Sequence, residues 1–337
     1  MKVNRLGVLG ALSALAAGLL TVVTVRPASA AAPQPVYAPA GTSVADPGMV
    51  RTGGKFYAFT TGGRAPVHTA GKAAGPWSTV GPALKRLPTW ADTGAIWAPD
   101  VVKTSAGWVL YFSARAKNFD DQRCIGVAVA SSVTGPYEPR DTPLICPGGR
   151  HGAPDKVANR PVANAGVIDP SPFKDAAGRR FILYKTQKTP SSIRMLRLND
   201  KGTNWIGNAS KELVRSSGII ENPVMVQRGS TFVLFASRYG YNNCSYATVY
   251  MKSSNKWNFA GKTQHKLMTT ASTGICGPGG ADITRAHTGG WRIFLHGWIC
   301  GTGTSPCKDT PGPNARRALY AAVLKWDGST PRVGKFL

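Results

Sequence analysis

Five stretches of this chain repeat one pattern, and a unit that recurs at near-regular spacing admits few folds. Each copy opens on a Pro- or Gly-marked turn, runs into an apolar strand, reverses at glycine and returns as an aromatic strand. The copies are VADPGMVRTGGKFYAFTT (44–61), IWAPDVVKTSAGWVLYFSA (96–114), VIDPSPFKDAAGRRFILYKT (167–186), IENPVMVQRGSTFVLFAS (220–237) and GGADITRAHTGGWRIFLHGW (279–298). Aligned on Asp46, Ala98, Asp169, Asn222 and Gly280, they are 52, 71, 53 and 58 residues apart. Most are followed by a third strand and a turn toward a fourth, as in 125–139, 247–260 and 318–328, and the first keeps the same GPW turn at Gly75 to Trp77. Four strands per repeat is the size of a propeller blade, whose first strand lines the central channel. The expected fold is therefore all-β, a five-bladed β-propeller, its ring completed by the stretch after Arg317 or by residues before Gly41. A two-sheet sandwich is the rival, and five equivalent copies argue against it because sandwich strands need not repeat.

The N-terminus reads as an export signal. Lys2 and Arg5 precede an apolar stretch from Leu6 to Val25, and Ala28-Ser29-Ala30 forms an A-x-A cleavage site. Residues 1–30 are thus expected to be removed, leaving 31–337 as a single domain that is secreted and extracellular. A retained membrane anchor is the alternative, and the small residues that dilute the apolar stretch weigh against it. The formal charge is +25, which suits attraction to polyanions; for an exported protein these include acidic pectin. The Lys and Arg residues are scattered and carry no nucleic-acid-binding motif, so no specific nucleic-acid partner is expected. Six cysteines in an exported chain suggest disulfides. Fifteen pairings are open; Cys300 with Cys307 would close a short loop, and Cys124 with Cys146 and Cys244 with Cys276 would tie neighbouring segments.

Only 16 acidic residues occur in the chain, so an acid in an apolar setting stands out. Asp46, Asp169 and Glu221 lie at the start of the innermost strand in three different copies, and in a closed ring those starts converge at one end of the channel. Crowded carboxylates oppose one another's ionisation, so one holds a proton while another stays charged. Glycoside hydrolysis needs that division, with an acid to protonate the leaving oxygen and a base to activate water or a nucleophile to attack the sugar. Taken singly, Asp46 and Asp169 also suit a turn role, since Asp-Pro starts turns. Glu221, between Ile219-Ile220 and Asn222-Pro223, has no such structural reason to be there.

These motifs together carry a family likeness. ADPGMVRTGGKFYAFTT, WAPDVV with GWVLYFSA, CIGVAVASSVTGPY, GVIDPSPFKDAAGRRFILYK, ENPVMVQRGSTFVLFAS and GPGGADIT with FLHGW run in order from about residue 44 to 328. The chain resembles glycoside hydrolase family 43, five-bladed propeller enzymes acting on arabinans and xylans. The resemblance implies a general base at Asp46, a general acid at Glu221, and at Asp169 a third carboxylate that orients the acid and raises its pKa. It implies inversion by a single displacement, an α-L-arabinofuranosidase or arabinanase first and a β-xylosidase next. Trp97 would stack on a sugar face or pack between blades. His296 corresponds to a histidine near the channel axis where some relatives hold calcium or another ion through water, so a metal near His296 is an option, though the reaction requires no cofactor; a lone core histidine is the plainer reading. Asp100 and Asp282 are out of register with the three acids and read as structural. The chain departs from the family at Asn222 and Gly280, where many members carry a small residue and a histidine. The expected partner is a polysaccharide or oligosaccharide, and the expected state is a monomer without membrane contact once the leader is removed.

Two other functions remain open on sequence. A non-catalytic sugar-binding propeller would not need all three acids. A retaining fructan or sucrose hydrolase would show W-x-N-D-P-N and R-D-P segments, where this chain has VADPG and VIDPS. The loops 117–123, 146–165 and 301–313 would decide between internal and terminal cutting.

Overall fold

The copies become blades because each joins an apolar strand to an aromatic one through a glycine turn, and both faces of the resulting sheet find apolar neighbours. In blade I, β1 (Gly48–Thr52), β2 (Lys55–Phe59), β3 (Pro66–Ala70) and β4 (Trp77–Pro82) lie side by side in chain order. Blade II follows with β5 (Trp97–Thr104), β6 (Gly107–Arg115), β7 (Arg123–Ala130) and β8 (Glu138–Pro139). Blade III holds β9 (Val167–Lys174), β10 (Arg180–Thr186), β11 (Ser191–Arg197) and β12 (Lys211–Ser216), and blade IV holds β13 (Ile220–Arg228), β14 (Thr231–Arg238), β15 (Ala247–Ser253) and β16 (His265–Met268). Blade V closes the series with β17 (Cys276–Arg285), β18 (Trp291–Ile299), β19 (Arg316–Asp327) and β20 (Thr330–Phe336). This computed structural model describes residues 1, 31–153, 155–157, 159–207, 209–286 and 289–337; the export-signal reading falls on 2–30, outside the described residues.

Five apolar clusters hold the sheets together, one at each junction between blades. Phe59 and Leu84 meet Phe112 and Tyr137 between I and II. Val109 and Tyr111 meet Ile182 and Tyr184 between II and III, and Phe181 and Leu183 meet Met225 and Leu234 between III and IV. Val233 and Phe235 meet Ile293, Leu295 and Tyr320 between IV and V, while Met49, Phe56 and Trp77 meet Phe294 and Leu319 between V and I. That last cluster makes the row of blades a ring. Full burial of each such side chain is worth ~1.5–3 kcal/mol, so closure is held by apolar packing of the same kind as the internal junctions.

The chain ends share the closure. Blade V is built wholly by the C-terminal segment, and the segment before Gly41 adds a clasp: Val36 N–H donates to Leu319 C=O at 2.8 Å and Leu319 N–H donates to Tyr37 C=O at 2.9 Å. Both regions expected to finish the ring take part. The cysteines pair as Cys124–Cys146, Cys244–Cys276 and Cys300–Cys307, the three pairings suggested by their positions.

One backbone irregularity recurs in every blade. Asp46, Ala98, Asp169, Asn222 and Gly280, the five residues that align the repeats, have φ of 49, 41, 58, 48 and 57°. Four of them carry a Cβ, and each of those four precedes proline, a combination that costs energy for an L-residue. The kinks sit where the innermost strands begin, and such strain concentrates where a fold aims side chains for use.

Candidate active site

Side-chain hydrogen bonds hold the kinks. Thr61 Oγ1 accepts the N–H of Ala98 at 2.9 Å, Ser113 Oγ that of Asp169 at 3.1 Å, Ser237 Oγ that of Gly280 at 2.9 Å, and His296 Nδ1 that of Asp46 at 3.1 Å. Each acceptor lies on or just after the second strand of one blade and reaches the kink of the next. At the junction of blades III and IV the pattern changes: Asp169 Oδ2 accepts the N–H of Asn222 at 3.0 Å. The position opposite Ile168 on the second strand is occupied by Lys185.

The kinks turn three acids toward one chamber of about 280 Å³, whose wall includes Asp46, Asp169, Glu221, Trp97, Lys185 and Arg317. Glu221, expected with Asp46 and Asp169 at the start of an innermost strand, is out of register with those two, as the alignment on Asn222 requires. It stands one residue ahead of the kink at Asn222, paired across the sheet with Ser237. The offset places a carboxyl beside the kinked residue, and Asp169 holds that residue's amide.

The three carboxyls differ in surroundings. Burial works against the charge of Asp46, but Arg317 Nη1 at 3.4 Å from both oxygens, the Thr61 hydroxyl at 2.7 Å and the Asn222 side chain outweigh it and hold its pKa below the ordinary value. Asp46 is therefore a charged acceptor at neutral pH. Asp169 is driven the other way, up to about 7, by burial first and then by the Glu221 charge, with Lys185 opposing and Asp46 adding to the rise. Glu221 has both oxygens engaged: Lys185 Nζ donates to Oε2 at 2.5 Å and the Tyr246 hydroxyl donates to Oε1 at 2.8 Å. Tyr246 is fully buried, accepts from Asn222 Nδ2 at 2.9 Å and stacks parallel to His296 with ring centroids 5.8 Å apart.

Trp97 lines the chamber, and the Arg123 guanidinium lies 3.4 Å from its ring centroid. One aromatic face is thus taken by a cation, which leaves only the rest of the ring open to the chamber. His296 sits behind Asp46, fully buried, with its pKa pushed down to about 3 by burial and then by Arg317. Its Nδ1 accepts from the Asp46 backbone, so the proton of the neutral ring lies on Nε2, which has no protein partner among the described residues. An N–H cannot ligate a cation, and calcium takes 6–8 oxygen ligands. Among the described residues no three His, Cys, Asp or Glu side chains converge as a cation site, so the donor set at His296 does not fit a directly held ion. Asp100 and Asp282 line the channel beyond the kinks; burial raises both pKa values, Asp282 to about 7.

Sequence reasoning missed Lys185, Tyr246 and Arg317. Lys185 had a signal, since FILYKT carries lysine where FSA and FAS carry serine. Tyr246 and Arg317 had none, being one aromatic and one cation in a chain rich in both.

The chain has counterparts. The model of glycosyl hydrolases family 43 matches residues 35–329. An extracellular exo-α-(1→5)-L-arabinofuranosidase of Cellvibrio japonicus is 27% identical over 218 residues, 58% of each chain. Arabinan endo-1,5-α-L-arabinosidase B of Emericella nidulans is 28% identical over 141 residues, 41% of this chain and 34% of the relative. The matched segments span between about a third and three-fifths of these relatives' lengths. Among solved structures, a Cellvibrio cellulosa α-L-arabinanase complexed with arabinohexaose superposes with a TM-score of 0.65 at 22% identity, covering 87% of this chain and 96% of that one. A thermostable family-43 glycoside hydrolase gives 0.67 at 19%, covering 89% and 96%. The ring of blades agrees with these folds, and with the family model running from one clasp of the ring to the last blade, the chain belongs to glycosyl hydrolases family 43.

Proposed function

We infer that the protein hydrolyses glycosidic bonds in arabinan, removing or releasing α-L-arabinofuranosyl units with inversion. The observation that carries this reading is the unequal treatment of three acids in one chamber. Asp46 is kept ionised by Arg317 and Thr61, as a base that takes a proton from water must be. Glu221, on the same wall, donates its proton to the departing oxygen. Asp169 fixes the backbone beside Glu221 and supplies a neighbouring carboxyl that resists a second negative charge. Water attacks the anomeric carbon, its proton passes to Asp46, and the C–O bond breaks as Glu221 protonates the leaving group. The names of the matched relatives point to arabinan ahead of xylan. We place the chemistry in residues 31–337, exported behind a removed leader, consistent with three disulfides.

The test is sugar release from linear and branched arabinan, arabinoxylan and aryl glycosides. The wild-type protein is expected to release arabinose or its oligomers, with the inverted anomer appearing first in proton NMR. Asp46→Asn and Glu221→Gln should each lower kcat by roughly 10²–10⁴-fold, and Glu221→Gln should lose least on substrates with a good leaving group. Absence of turnover on every substrate would refute the reading, and a first-formed retained anomer would refute the single displacement.

A further inference from the structure

Four of the five junctions use a serine, threonine or histidine on one blade to hold the kink of the next, and the fifth uses a carboxylate. At that junction the strand position frees a side chain, and the chain fills it with lysine. Lys185 is buried, with a side chain 8% exposed against 9% for Glu221. Burying an ammonium among strands is costly unless it is paired. Its partner is Glu221 Oε2 at 2.5 Å, on the neighbouring blade.

We propose that Lys185 is a positioning residue for the reaction: its ammonium fixes the Glu221 carboxyl in the chamber and stabilises the carboxylate left when Glu221 gives up its proton. This rests on reading Glu221 as the acid. A carboxyl offers about four acceptor positions; Lys185 takes one on Oε2 and Tyr246 one on Oε1. The remaining positions leave room for the transferable proton. As the C–O bond breaks, the proton moves from Glu221 to the glycosidic oxygen, and the new negative charge forms against an ammonium already in place. The step moves no proton to or from Lys185, and no co-reactant is needed. Such preorganised charge counts most where water is excluded.

The groups facing Glu221 are Lys185 from β10, Tyr246 from the segment before β15 and Asp169 from β9, with Asp46, Arg317 and Lys188 farther along the same wall. Lys185 is the cation in direct contact among them. A cation in contact with a carboxyl favours its ionised form over its protonated one. Removing the ammonium should therefore shift the alkaline side of the activity profile upward in pH.

The experiment compares kcat/KM profiles of wild type, Lys185→Met, Lys185→Gln and Lys185→Arg on an aryl arabinofuranoside. It is paired with carboxyl NMR of protein labelled at glutamate, a small set because the chain has only Glu138, Glu212 and Glu221. Loss of a cation this close moves a titration by about 1–3 pH units, so Lys185→Met should raise the alkaline limb and the Glu221 resonance midpoint by that order. Its kcat should fall by about 10–10²-fold with KM changed far less, as for an interaction made in the transition state. Lys185→Arg should restore part of both. If Lys185→Met does not fold, Lys185→Gln, close in length and still a donor, carries the same expectation for the limb and the resonance. An alkaline limb and a Glu221 resonance that both stay put in the folded variant would overturn the proposal, whatever the loss in rate. Wild-type protein without glycosidase activity would sink the functional reading instead, and the resonance would still decide whether Lys185 controls Glu221.

Discussion

His68 lies in β3 with 1% exposure, its ring nitrogens 3.1 Å from the hydroxyls of Thr60 and Thr79. Burial pushes its pKa from 6.5 down to about 4. The unfolded chain binds a proton there near pH 6.5 and the folded chain only near 4, so folding stability falls as pH drops through that window. The linkage amounts to about 3 kcal/mol at full development. In His68→Gln this part of the decline should vanish, measured as the difference between urea unfolding free energies at pH 7 and pH 4.5 in the two proteins. The candidate acids were legible one residue at a time because carboxylates are scarce in this chain, whereas the groups that tune them were hidden. Among 41 Lys and Arg residues, nothing local marks Arg317 as the one beside Asp46. That contact spans 271 residues and exists only once blade V meets blade I.

At the scale of strands, each junction depends on a polar bond as well as on apolar packing. Ser113 is fully buried, and its hydroxyl is the acceptor for the amide of Asp169. Ser113→Ala leaves that buried N–H without this acceptor, which should cost ~1–3 kcal/mol, read as a lowered denaturant midpoint with an unchanged slope. The repeats announced the innermost and second strands, since the anchor residues that aligned the copies are the same five that kink. They put Asn222, not Glu221, in register with Asp46 and Asp169, because spacing shows which residues align and not which of them carries an acid. The outer strands of blade III were the least legible: SSIRMLR and KELVRS lack the Gly-Pro-aromatic turn that marks the same place in blades I and II. Their position is fixed by packing against blades II and IV rather than by local signals.

For the molecule as a whole, a formal charge of +25 over the full sequence has the sign that attracts acidic polymers, over distances that salt shortens to about 10 Å at 0.1 M. Activity on arabinan still attached to acidic pectin should therefore fall as sodium chloride rises from 20 to 500 mM (about 21 to 4 Å in screening length), while turnover of a small neutral aryl glycoside should change little. Release of reducing sugar across that series checks it, and parallel curves for both substrates would remove the charge effect. The ring also governs when the chamber comes into being. Asp46 needs Arg317, His296 and Thr61, Glu221 needs Lys185 and Tyr246, and these come from blades I, III, IV and V. A nascent chain still emerging from the ribosome, or one broken before Arg317, holds its acids without the cation that offsets the burial of Asp46 in the finished ring. Chains that stop short of Arg317 are accordingly expected to be inert, because the whole ring has to be made before the chamber exists.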